Sequence, residues 1–430
     1  MPRAGEGRAG GGKDGKMTNI FKIAVRNLTR YKRRTLLTLA LITLGVVFVL
    51  VFVSVTGSFK SLMIGQITGS YLGDIQIHKR GYVASIENLP LNLNLAPDQV
   101  RKVREVLGQT KEVQASSERV KFGALFSNFQ ETTNIRINGV VPEQEFAACP
   151  LLLTRIVQGR KDAGVLEKGT ILVPDLLARG FGSKIGDTVV VVATNKDGSV
   201  NGKTFRVAGI LESATGPGGR DGYIHIEDAR EILRMEQEEV SEFAVSVRDL
   251  GQADRLEDRL RAGLSSGNQQ GKSPFEVHSW VKLSPFANIA RMIDVMTFYI
   301  RLMLISLVLI SILNVMIMAV YERVREIGTI AALGTRPAKI LSLFLVEGFS
   351  LGVAGALSGT ILALAVILVL NVSKISFSFG FQQAVTLAPT ISTGEVAGAS
   401  LLVILISVLA SLQPAYKASR MAPIDALRHI

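Results

Sequence analysis

Tyr321–Ile340 reads YERVREIGTIAALGTRPAKI, with four basic and two acidic residues, two glycines and a proline, set between long apolar runs. What this stretch does depends on where the membrane lies. Thr35–Phe59 holds 25 residues without a charge, Leu302–Tyr321 holds 20 and Val396–Tyr416 holds 21, while Ile340–Ser373 is interrupted only by Glu347. About 20 helical residues cross a hydrocarbon core of roughly 30 Å, so each run is long enough to span. Backbone groups in lipid must be satisfied within the segment, which makes the runs helices. A mean hydropathy of +0.33 over 430 residues, with the apolar residues clustered, agrees.

Charge orients the four spans and argues against reading any of them as the core helix of a soluble domain. Met1–Arg34 carries ten Lys/Arg against two acids, Tyr321–Ile340 four against two and Pro414–Ile430 three against one; Gly57–Asp294 carries 29 of each. The net charge of +12 therefore resides in three segments on one side of a four-span arrangement. The positive-inside bias then makes both termini and the quoted stretch cytoplasmic. The neutral insert between spans one and two gives no reason to expect nucleic acid.

The expected class is an α-helical membrane protein with four transmembrane helices and a large α+β extracytoplasmic domain between helices 1 and 2. Its parts are a basic cytoplasmic segment 1–34, disordered over 1–16; helix 1 at 35–59 with an outer stalk to about 70; the domain at 71–282, in two lobes; and a second stalk at 283–301. There follow helix 2 at 302–321, a cytoplasmic helix and turn at 322–339, helix 3 at 340–373, an outer loop at 374–395, helix 4 at 396–416 and a tail at 417–430. The first run is too long, and starts too late, for a cleaved signal; Met17 is an alternative start. GGGKDGKM approaches a phosphate loop but ends in Met17, where Mg²⁺ needs a hydroxyl, and is rejected as an ATP site. Cys149 is the single cysteine, so no intrachain disulfide holds the domain.

Within the insert, alternation predicts strands in Gly73–Gly81, Thr132–Val141, Phe243–Asp249 and Phe275–Trp280, and a hairpin over Gly186–Leu211 with NKDGSVNG at its tip. Three- and four-residue spacing predicts helices over Asp98–Gln109, Glu227–Gln237 and Gln252–Leu264. His78, His225, His278 and His429 make no metal spacing, and no GxSxG elbow occurs, so neither catalytic nor metal residues are assigned.

In the quoted stretch, Val324, Ile327, Ile330 and Ala331 recur at helical spacing, with Glu322, Arg325, Glu326 and Thr329 largely elsewhere. Gly334 stops the helix, and Thr335 with Pro337 opens the next. The result is an amphipathic helix at the cytoplasmic surface; composition alone does not say whether its apolar face meets lipid or protein. Glu347, about two turns into span three, either snorkels or pairs with Arg336 or Lys339, or makes a contact that changes between states. Gly348, Gly352, Gly355 and Gly359 form a small-residue face for close helix approach, at a subunit interface or against span one.

Arg325-Glu326-Ile327-Gly328 followed by Ala332-Leu333-Gly334, the run LFLVEGFSLGVAGALSG (Leu343–Gly359), the tail PAYKASRMAPIDALR (Pro414–Arg428) and the basic entry Ala24–Arg34 resemble one family. It is the mechanotransmission type of ABC permease, which includes macrolide exporters, lipoprotein-releasing complexes and the division-associated permease; this chain is most similar to lipoprotein-releasing permeases. The resemblance covers most of the membrane portion. It implies that Glu322–Leu333 is a coupling helix set in a groove of a separate ATPase dimer, which binds ATP and Mg²⁺. Glu322, Arg323, Arg325 and Glu326 would lie along that contact, Ile327 would pack into the groove, and Gly328, Leu333 and Gly334 would allow close approach and a sharp exit. The family often carries a basic residue where Ala331 stands, which removes one charged contact here. The resemblance further implies a second permease subunit, the bacterial inner membrane with the domain in the periplasm, and a lipoprotein substrate with a periplasmic carrier. An exporter with an adaptor and a non-transporting regulator of cell-wall hydrolases are the alternatives.

Overall fold

The computed structural model describes residues 26, 32–213, 217–265, 273–379 and 382–422. Most of the leader, including 1–16 and Met17, and most of the tail fall outside them, as do parts of the loops after Ser213 and Ser265. The chain divides into two compact units: one takes in residues 1–59, 292–375 and 386–430, the other 60–291 and 376–385.

The four expected helices, Lys32–Ile67, Phe286–Glu322, Pro337–Val372 and Thr393–Ser419, each long and apolar enough to cross a membrane, lie in the first unit except for residues 60–67 and 286–291. The first three have 36, 37 and 36 residues. At a rise of about 1.5 Å per residue such helices reach roughly 54 Å, well beyond a hydrocarbon core of about 30 Å. Local chemistry sets their ends. Pro337 opens the third at its first turn, where a missing N–H costs nothing. Ser392 accepts from Glu395 N while Glu395 reaches back to Ser392 N, a capping box at the start of the fourth. Ile42, Val46, Leu50, Val308, Ile312, Phe344, Leu351, Val403 and Ala410 pack together as the bundle core.

Glycine brings these helices close. A Cβ at Gly355 or Gly359 would overlap Ile42 or Val46 of the first helix, and one at Gly348 or Gly352 would overlap Ser411 or Ser407 of the fourth. The small-residue face thus serves both neighbours within one chain, split along its length. Thr43 Oγ1 meets Ser358 Oγ at 2.7 Å on the first side, and Thr360 Oγ1 meets Ser400 Oγ at 3.3 Å on the second.

The second unit is the α+β insert. Its strands are β1 (Ile75–Lys79), β2 (Val113–Ser127), β3 (Thr132–Val140), β4 (Ile156–Gly159), β5 (Thr170–Pro174), β6 (Thr188–Thr194), β7 (Val200–Leu211), β8 (Asp221–His225), β9 (Glu242–Val247) and β10 (Phe275–Ser279). They pair in the order β10-β1-β9-β2-β3-β8-β5-β7-β4, and β6 joins β7 back to β2. The circuit β2-β3-β8-β5-β7-β6 therefore closes on itself, around Phe122, Phe126, Ile137, Val191 and Phe205. A second core lies where β1, β9 and β10 meet the helices Pro97–Gln109 and Ala253–Ser265, through Ile77, Val103, Phe243 and Leu260. β2 belongs to both: its first half pairs with β9, its second with β3 and β6.

Two expectations need correction. The helix at Glu227–Gln237 is shorter, Ile226–Ile232, because Arg234 turns left-handed at φ 50°. The segment 374–395 is not wholly a loop, since β11 (Ser376–Phe379) and β12 (Gln382–Thr386) form a two-stranded sheet.

Candidate functional site

The quoted stretch folds as a junction. The second spanning helix ends at Glu322, Arg323 breaks the helical path at φ −112° and ψ 14°, and a new helix runs Val324–Ala332. Leu333 closes it and Gly334, at φ 84°, turns the chain. Gly334 N donates to Ala331 O and Thr335 N to Ile330 O, the paired bonds of a Schellman stop, which needs a residue comfortable at positive φ.

This helix meets its own bundle with Val324, Ile327 and Gly328, all buried, while Glu322, Arg325, Glu326, Thr329 and Gly334 are exposed. Ile327 is 5 % exposed and belongs to the bundle core, so it is not available to fill a partner's groove. Ile330, expected on the same face, points away at 42 %, and Leu333 stands out at 82 %. The large apolar side chains that this helix and its cap expose are therefore Ile330 and Leu333. Three-residue spacing could have placed Ile330 on either side, and only packing decides.

Arg323 is buried as well, and its Nη1 donates to Glu347 Oε2 at 3.3 Å; both side chains are nearly inaccessible, at 4 % and 0 %. Glu347 thus pairs with neither Arg336 nor Lys339, both of which are exposed, and it does not snorkel. A carboxylate in an apolar run demands a buried partner, which was the available signal; the separation of 24 residues concealed which one.

In the insert the notable chemistry is a buried ionic cluster on β2 and its neighbours. Arg119 donates through Nε and Nη2 to both Glu145 oxygens at 2.9 and 2.7 Å, and through Nη1 to Glu242 Oε1 at 3.0 Å and Tyr71 O at 2.8 Å. Ser117 Oγ adds 2.7 Å to Glu145, and Lys121 Nζ lies 3.4 Å from Glu242. Arg155 Nη1 binds Ser70 O at 3.0 Å. Two guanidinium groups thus hold successive carbonyls of the π-helical turn Thr68–Leu72, which follows the first long helix. Burial alone would lower the Arg119 pKa, but Glu145, Cys149 and Glu242 outweigh it and the charge is kept. Burial likewise pushes the Cys149 thiol up to about 12, which leaves it protonated and unreactive at neutral pH.

Burial would raise the Glu242 carboxyl, yet Lys121, His78 and Arg119 hold it far below its ordinary 4.5. The folded insert then stays ionised at a pH where the unfolded chain takes up a proton. Stability from Glu242 is therefore complete above about pH 4.5 and is lost as pH falls below it. Unfolding monitored by Trp280, the single tryptophan, should show Glu242→Gln flattening the acid slope; an unchanged slope would refute this assignment.

Among the described residues no group of three or more His, Cys, Asp or Glu could hold a metal ion. The described residues thus show a short amphipathic helix on a four-helix bundle, and a folded insert clasping the turn that follows helix 1. Comparison with known proteins gives this arrangement a family. Residues 35–262 match the MacB-like periplasmic core domain and residues 298–423 the FtsX-like permease C-terminal family. The chain belongs to the MacB/FtsX-type ABC permease superfamily. This permease is 23% identical to the lipoprotein-releasing system transmembrane protein LolC of Neisseria meningitidis serogroup B over 95% of its own length and 98% of the relative's. It is 26% identical to the macrolide export ATP-binding/permease protein MacB of Bdellovibrio bacteriovorus, over 79% of its own length and 50% of the relative's. The periplasmic region of MacB from Actinobacillus actinomycetemcomitans aligns with TM-score 0.36 at 14% identity, over 52% of this chain and 94% of that one. This permease is thus a multi-pass membrane protein with a periplasmic-type α+β domain between its first two helices, and as an ABC permease it implies an ATPase partner.

Proposed function

We propose that this permease is the membrane subunit of a lipoprotein-releasing ABC system. ATP and Mg²⁺ would act on a separate cytoplasmic ATPase dimer, and two permease subunits would share the work. Its termini and the helix Val324–Ala332 would be cytoplasmic and its insert periplasmic in the inner membrane, as the basic excess of the flanking segments favours. Closure of the ATPases would pull on that helix, and the long helices would carry the movement to the domain, where a periplasmic carrier would receive an acylated protein. Glu322, Arg325, Glu326, Ile330, Leu333 and Gly334 would face the ATPase; Arg323, Ile327 and Gly328 would hold the helix to its bundle.

The observation that carries the choice of substrate is the match to LolC over 98% of that relative's length. The match to a macrolide export protein over 50% of its length favours, as a second reading, an exporter of hydrophobic molecules with a periplasmic adaptor. Purification in mild detergent followed by mass spectrometry separates them. Lipoprotein release predicts a co-purifying acylated protein that leaves on addition of ATP with the ATPase; a small hydrophobic molecule released in its place would establish the exporter.

A further inference from the structure

Arg323 ties three helices together through one residue. Its N–H donates to Val320 O at 3.2 Å in the second spanning helix, and its carbonyl accepts from Ile327 N at 2.9 Å in the cytoplasmic-type helix. Its side chain reaches Glu347 in the third spanning helix. The next residue, Gly348, lies against Ser411 of the fourth. Burial of both ions is poor economy for stability alone, since an apolar pair of similar volume commonly does as well; such pairs are best attested as devices that fix one register among several. An apolar contact could slide along the interface, whereas an ion pair in a low-dielectric interior loses its partner on a displacement of a few ångströms.

We infer that Arg323 and Glu347 are a positioning pair that locks the helix Val324–Ala332 to the third spanning helix, so that the two move as one body. This rests on the coupling reading above and deepens it. Movement delivered to the short helix would reach the bundle through helix 3 as well as through the chain connection to helix 2. Helix 3 is the element whose glycines touch both the first and the fourth helices, so the pair would set where a pull enters the bundle.

The test needs no ATPase and so stands apart from the coupling reading. Nitroxide labels on Leu333→Cys and Leu357→Cys, both exposed, report the separation of the two helices in the full chain in nanodiscs, while Cys149 is buried and silent. A single narrow distance distribution is expected for the native pair. Glu347→Gln, which keeps the shape and removes the charge, and Arg323→Met should each broaden it about twofold as the short helix samples further positions. The exchange Arg323→Glu with Glu347→Arg should narrow it again. Native width in both single variants would overturn the proposal. So would an exchange variant that stays broad although its unfolding temperature matches the native chain. Should the ATPase fail to bind Val324–Ala332 while these widths behave as stated, the lock stands and only the coupling reading falls.

Discussion

Arg119→Met should lower the stability of the periplasmic-type domain by about 3–5 kcal/mol, the range for breaking a buried ion pair from one side. The loss arises from what is left behind. Glu145 and Glu242 would remain buried, Glu145 without its bidentate partner and Glu242 with only Lys121 and His78, while Tyr71 O would lose a donor. An unpaired buried charge costs more than the pair ever contributed. The double variant Arg119→Met with Glu145→Met should therefore be less destabilised than the single one, a non-additivity expected for residues in direct contact. Chaotrope unfolding followed by Trp280, which is buried and whose backbone N–H donates to Asp74 O, measures both. A loss under about 1 kcal/mol in the single variant would mean the cluster is far wetter than its burial indicates.

Leu333→Asp should cut affinity for the partner ATPase about 30-fold or more, corresponding to about 2 kcal/mol for an interface anchor, with the fold intact. At 82 % exposure the Leu333 side chain makes little contact with the other described residues, and Ile330 stands about one turn away on the helix that Leu333 closes. On the coupling proposed above, an aspartate there would carry a charge into the contact with the ATPase, where it would lose its water. Ile327→Asp serves as contrast, since Ile327 lies in the bundle core and its replacement should unfold the bundle instead. Pull-down of the ATPase with the purified permease gives the first result and thermal unfolding the second. Equal ATPase capture by Leu333→Asp and the native chain would remove the ground for assigning this helix to coupling.

The membrane half was the legible half. Long uncharged runs and a one-sided basic excess are signals that lipid itself imposes, so four helices and the class of the insert could be read without any knowledge of packing. Gly334 and Pro337 announced the helix stop and restart because few other residues suit those backbone positions. β2, the longest strand, escaped the period-two search because its middle, Ser-Ser-Glu-Arg-Val-Lys, looks like a solvated loop. Those polar side chains are largely buried and are answered by Arg104, Glu145 and Glu242 from three other elements. The same blindness hid the Arg323–Glu347 pair and the sorting of Ile327 from Ile330. Periodicity assigns a residue to a face, whereas the partners waiting at that face are set by tertiary structure.

The shared strand β2 also limits how this domain can vary. Because the β9 half and the β3 and β6 half of its 15 residues share one continuous register, inserting or deleting a single residue midway would either turn Val120, Phe122, Ala124 and Phe126 out of their core or pull Ser117 and Arg119 away from Glu145. The hairpin tips at 128–131 and 195–199 lie outside this constraint, held by side-chain contacts such as Asn128 Nδ2 to Phe181 O and Lys196 Nζ to Glu239. Changes of length are therefore channelled into the tips, while the strand between the lobes admits substitution but no indel.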